Sequence, residues 1–166
     1  MSRGFVKEDD QEEIPFIPPR ADLPEGTPNY VTPAGMEELL AERTALTEER
    51  EGLQAETEKD RRIGQNMIDL KLKQLNERIN SARVVEKVVE PVETVRFGTE
   101  VSLKIGNADR PQNFRIVGVD EADIKKGKIA FTSPLAKLLM HQEKGKKVTL
   151  ALPGGERTFE ILEIRA

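Results

Sequence analysis

Cysteine and tryptophan are absent from this 166-residue chain, and histidine and tyrosine occur once each. Without thiols there is no disulfide framework and no thiolate metal site, and a reducing compartment fits. His141 is the lone imidazole, and one imidazole without a clustered carboxylate set makes no zinc site. No apolar run approaches the roughly 20 residues needed to span a bilayer. The opening MSRGFVKEDDQEE has no apolar secretion segment, so the expected location is the cytoplasm, with no membrane partner. Strings for a nucleophile elbow, a P-loop, an HExxH zinc helix or a dinucleotide fold are also missing. An autonomous enzyme is therefore not expected, nor an intrinsic metal or cofactor. Excess positive charge is lacking too. A net charge of −4 argues against broad nonspecific binding of nucleic acid, whose phosphates need a basic face.

Charged residues make up 34 % of the chain and aromatics only 4 %. That balance suits a long solvated helical element plus a modest core. Residues 1–30 read as a disordered acidic, proline-rich tail. Pro15, Pro18, Pro19, Pro24 and Pro28 remove backbone donors, while Glu8, Asp9, Asp10, Glu12 and Glu13 repel one another. Phe5, Ile14, Phe16 and Ile17 are the tail's apolar exceptions and candidates for docking on a partner.

Residues 31–86 read as a coiled-coil hairpin. Thr32-Pro33 opens the first helix as cap and first residue. Leu39, Leu46 and Leu53 recur at heptad spacing, although Arg43 and Arg50 interrupt the neighbouring seam. Ile68, Leu72, Leu75, Ile79 and Ala82 give the alternating four-and-three rhythm of a second helix. The break is expected around Thr57–Gly64, with Gly52 and Gly64 weakening helix on either side. So short a turn makes the helices antiparallel, with Glu56, Glu58 and Asp60 at the tip. After Pro91, read as a hinge, the period becomes two. Val95–Ile105, Phe114–Val117, Ile129–Phe131, Val148–Leu152 and Phe159–Ile164 are expected strands, and Ser133-Pro134 starts a short helix. The expected fold class is α+β: an antiparallel helical coiled-coil hairpin, then a small, mostly antiparallel sheet domain with one helix over residues 92–166.

The charged clusters carry plain readings beside functional ones. Glu56, Glu58 and Asp60 fit a solvated turn. Asp120, Glu121 and Asp123 fit a hydrophilic turn more readily than a cation site. Lys125, Lys126 and Lys128, with Lys144, Lys146 and Lys147, fit a solubilising surface more readily than a face for RNA or DNA.

The order of hairpin and sheet domain, together with YVTPAGMEELLAE, NSARVVE, RFGTEVSLK, FRIVGVDEAD, KIAFTSPLAKLLM and KKVTLALPGGERTFEILEI, resembles the Gre family of bacterial transcription elongation factors. The resemblance runs from about Tyr30 to the end. It implies a sheet domain of the prolyl-isomerase (FKBP-like) type that docks on RNA polymerase. Asp120, Glu121, Thr132, Ser133, Pro134 and Leu135 would lie on the docking surface. It also implies a monomer whose tip enters the secondary channel, with only indirect contact to nascent RNA or DNA. Tip carboxylates of the family help hold Mg²⁺ in the polymerase active site, and the polymerase then cleaves the backtracked RNA 3′ end. Here GLQAETEKDRRIGQN replaces the family's Gly-Asp and Glu-Asn tip motif. The hairpin is also shorter by about one heptad per arm, or roughly 10 Å at the rise of a helix. One alternative, with a short coil, is a non-cleaving occupant of the same channel; another, of a different class, is an adaptor whose hairpin pairs with another coiled coil.

Overall fold

A computed structural model describes residues 15–166. Phe5, Ile14 and the acidic run before Pro15 lie outside the described residues. The element order is β1 (Asn29–Val31), α1 (Pro33–Glu51), α2 (Glu58–Ser81), β2 (Ala82–Val84), β3 (Glu100–Ile105), β4 (Gln112–Val117), a 3-10 turn (Ile124–Lys126), β5 (Lys128–Ala130), α3 (Pro134–Leu139), β6 (Lys147–Leu152) and β7 (Gly155–Arg165).

Helix α1 starts where Thr32 accepts a hydrogen bond from the Gly35 amide, with Pro33 as first residue. It stops at Gly52, whose amide bonds to the Glu48 carbonyl. Thr57 caps α2 in the same way through the Asp60 amide. The break therefore spans 52–57, earlier than the expected Thr57–Gly64. Gly64 lies inside α2. A Cβ there would stand 2.7 Å from Leu53 Cδ2, so the missing side chain makes room for a leucine from the connecting loop.

The helices pair antiparallel, as the order of their contacts shows. Leu39 packs in one cluster with Leu75 and Ile79. Farther out, Arg50 Nε donates to Asp69 Oδ1 at 2.6 Å. That bond holds the Asp69 carboxyl below its ordinary range and the Arg50 guanidinium above its own. Arg50, an interruption in the apolar seam, thus serves as a cross-helix partner. Its side chain is 40 % exposed, so the pair adds little stability and mainly fixes register. At the base, β1 and β2 form a parallel pair, Asn29 to Ala82 through Val31 to Val84. Asn29 and Tyr30 therefore belong to an element, not to the tail expected over residues 1–30. Asn29 Nδ2 also donates to the Arg78 carbonyl at 3.0 Å and ties β1 to the end of α2.

The second layer is a five-stranded sheet in the order β5-β4-β3-β7-β6. Neighbours are antiparallel except β4 and β5, which run parallel. Val101, Leu103, Ile116, Ile161 and Leu139 are fully buried in the core of this unit, and α3 lies against β6. Val95 and Phe97, expected to open the first strand, join this core ahead of β3. Gly98 breaks the extended run there at φ +86°. The fold is α+β with a mostly antiparallel sheet.

Candidate functional site

The helical layer and the sheet meet at a junction that sequence reasoning places at a plain surface turn. Tyr30, Phe97 and Phe131 form a ring cluster with centroids 5.6 to 6.0 Å apart. Such tilted and edge-on pairs add about 0.5–1.5 kcal/mol each beyond area burial. One ring comes from β1 and two from the sheet unit, so the cluster clamps one layer to the other. Gly118 permits the close approach. A Cβ there would stand 2.5 Å from the Tyr30 carbonyl oxygen, which is backbone and cannot step aside.

Next to it, Glu121 reaches the start of α1. Thr32 Oγ1 donates to Glu121 Oε2 at 2.5 Å while also accepting from the Gly35 amide at 2.9 Å. A carboxylate at a helix N-terminus meets the positive end of the helix dipole. Gly35 leaves the space, since a Cβ there would lie 2.6 Å from Glu121 Oε2. Lys128 Nζ approaches Glu121 at 3.5 Å and Glu38 at 3.8 Å.

Asp120 performs the matching task for α2. Its carboxylate stands 3.4 Å from Arg78 Nε and accepts from Arg20 Nε at 2.9 Å. Arg20 in turn forks onto Glu42 of α1 with bonds of 2.8 and 3.0 Å. Its pKa is raised chiefly by the Glu42 bond, with burial opposing and Asp120 adding to the rise.

The sequence-predicted docking set therefore splits. The Asp120 and Glu121 side chains are only 7 % and 5 % exposed, each committed to internal partners. The two adjacent carboxylates turn inward because each finds cations or a helix start there, whereas a docking contact would need them at the surface. Thr132, Ser133, Pro134 and Leu135 remain at the surface, with Pro134 exposed and the others half-buried. Ser133 accepts from the Ala136 amide at 3.3 Å and caps α3.

Glu56, Glu58 and Asp60 are all exposed at the far end of the hairpin. Glu58 and Asp60 occupy the first turn of α2, where carboxylates suit the helix dipole. Arg61 stands 3.7 Å from Glu58. No group of three or more His, Cys, Asp or Glu side chains is arranged to hold a metal among the described residues. No helix among them is long and apolar enough to cross a membrane.

Comparison with known proteins gives a likeness over the C-terminal part of the chain. Residues 90–166 match the model described as "Transcription elongation factor, GreA/GreB, C-term". The chain is 42 % identical over 101 residues to transcription elongation factor GreA of Acidiphilium cryptum (strain JF-5), covering 61 % of this chain and 64 % of that protein. It is 39 % identical over 98 residues to transcription elongation factor GreA of Aliarcobacter butzleri (strain RM4018), covering 59 % and 61 %. Each match thus spans less than two thirds of the relative's length. Among solved structures, the elongation factor GreA/GreB from Nitrosomonas europaea aligns over 82 % of this chain and 98 % of its own, at 18 % identity and a TM-score of 0.42. Over residues 90–166 the chain is therefore similar to the C-terminal domain of the GreA/GreB transcription elongation factors.

Proposed function

We propose that this chain is a transcription elongation factor that binds the secondary channel of bacterial RNA polymerase and promotes escape of arrested complexes. Residues 92–166 dock on the polymerase, and the hairpin carries its acidic tip inward. The observation that carries this reading is the GreA/GreB match over residues 90–166, in a domain clamped to a helical hairpin whose acids are exposed at the far end. The proposal includes two finer features. Residues 31–86 act as a coiled coil, supported by the antiparallel packing of Leu39 against Leu75 and Ile79. Residues 92–166 adopt the FKBP-like sheet type, supported by the five-stranded sheet with α3 against it.

The chemistry assigned to the tip is accessory. Hydrolysis of a phosphodiester by two metal ions needs both ions held near the attacking and leaving oxygens. Mg²⁺ prefers hard, charged oxygen donors, and the carboxylates of Glu56, Glu58 and Asp60 are of that class. In this reading the ions and the RNA belong to the polymerase complex. This chain, acting as a monomer, contributes an oxygen donor and touches nucleic acid only there.

The docking surface lies at the start of α3, around Thr132, Ser133, Pro134 and Leu135. Pro134→Glu tests it without disturbing the helix, because a carboxylate in the first turn suits the dipole. The expected result is binding to polymerase about tenfold weaker, the effect of charging a buried contact, with an unchanged melting temperature. An unchanged dissociation constant would move the docking surface elsewhere.

A further inference from the structure

The segment Pro18–Leu23 lies outside the GreA/GreB C-terminal match, and the tail reading gives it no structural role. It is nevertheless bonded at successive residues. Arg20 uses its whole guanidinium: Nε on Asp120 at 2.9 Å, and the two terminal nitrogens on the two Glu42 oxygens at 2.8 and 3.0 Å. The neighbouring Ala21 carbonyl accepts a hydrogen bond from Arg78 Nη2. Three separate pieces of chain thus converge here: α1 through Glu42, α2 through Arg78, and the loop after β4 through Asp120. Pro18 and Pro19 immediately precede Arg20 and restrict the backbone that delivers it.

The position of these bonds matters more than their number. The Tyr30 ring contacts and the Thr32–Glu121 bond sit at the base of the hairpin, where the two layers join. Contacts at a pivot hold the layers together but resist tilting poorly. Glu42 is about 14 Å along α1 from Pro33 at 1.5 Å per residue. It lies farther out than Glu38, which Lys128 approaches at 3.8 Å. A bond at Glu42 therefore acts on a longer lever arm. The α1 arm is about 27 Å long, so a tilt of about 10° would move the tip by roughly 5 Å. A carboxylate meant for a metal ligand bond of about 2 Å does not tolerate that error.

We infer that Pro18–Leu23 is an intramolecular strap that fixes the angle of the helical hairpin on the C-terminal domain, with Arg20 as its positioning residue. Arginine is required because one planar fork must satisfy a carboxylate on each side. Lysine offers a single point charge and reaches one of them at a time. The inference extends the proposed function by giving the leader a role in aiming the tip. Its primary test needs no polymerase, so its failure is separable from failure of that function.

The test uses the full chain with spin labels on Ala55→Cys at the tip and Ala151→Cys on the sheet unit. Both positions are exposed, and the absence of native cysteine makes them the only labelled sites. The parent should give one narrow distance peak by pulsed electron resonance. Arg20→Ala, and separately removal of residues 1–28, should lose that narrow peak in favour of a broad distribution, while β3 to β7 stay protected from hydrogen exchange. Arg20→Lys should recover only part of the narrowing. Distributions of unchanged centre and width in both Arg20→Ala and the truncated chain would overturn the strap.

Discussion

Leu75→Ala should cost about 2–5 kcal/mol, the usual range for emptying a buried leucine site. It should also do so unevenly along the chain. Leu75 is fully buried, and among the described residues its cluster contains only Val31, Leu39 and Ile79 as other buried apolar side chains. Met36, Leu46 and Ala82 cover the cluster from outside. So small a core cannot refill the space, because β1, α1 and α2 all lean on the same leucine. The sheet unit has its own, larger core, led by Leu103, Ile116, Leu139 and Ile161. Hydrogen exchange should therefore show protection lost across α1 and α2 while β3, β4 and β7 keep theirs. Equal loss in both layers would mean that they unfold as one cooperative unit.

Replacing Glu56, Glu58 and Asp60 together with alanine has the largest expected functional effect. Stimulated transcript cleavage should fall about 10–100-fold, the common cost of removing groups that support a metal ion. Affinity for polymerase should stay unchanged, because the three residues stand at the tip, away from the surface at Pro134. Stability should barely move. The exposed Glu58–Arg61 contact at 3.7 Å contributes little, and the Thr57 cap on the Asp60 amide uses backbone that alanine retains. The comparison is made on stalled polymerase carrying a labelled backtracked transcript. Undiminished cleavage by the triple variant would remove the tip acids from the mechanism.

Much of this architecture is written in local patterns. The alternation Val148, Leu150 and Leu152 and the Ser133-Pro134 helix start mark β6 and α3 because burial and capping are decided within a few residues. The spacing of Ile68, Leu75 and Ile79 marks α2 for the same reason. What stayed hidden was decided across long stretches of chain. Asp120 and Glu121 look like any polar turn until Arg20, Arg78 and Thr32, which are 100, 42 and 89 positions away, close on them. The pairing of β1 with β2 involves three residues on each strand, too few to show a period. Arg20 carries no local signal, since its partners Glu42 and Asp120 lie in α1 and in the loop after β4. Gly35 and Gly118 carried a faint signal. Each is a glycine placed beside a helix start or a strand end, where a close approach by another part of the chain explains the missing side chain.

The claim that organises this account is that the hairpin tip reaches the polymerase catalytic centre. An iron chelate on Ala55→Cys, the sole cysteine of that variant, reports it directly by generating hydroxyl radicals within a stalled elongation complex. The account predicts cuts in the transcript close to its 3′ end, competed away by excess unlabelled protein. An intact transcript, with polymerase bound by the chelate-bearing protein, would contradict it.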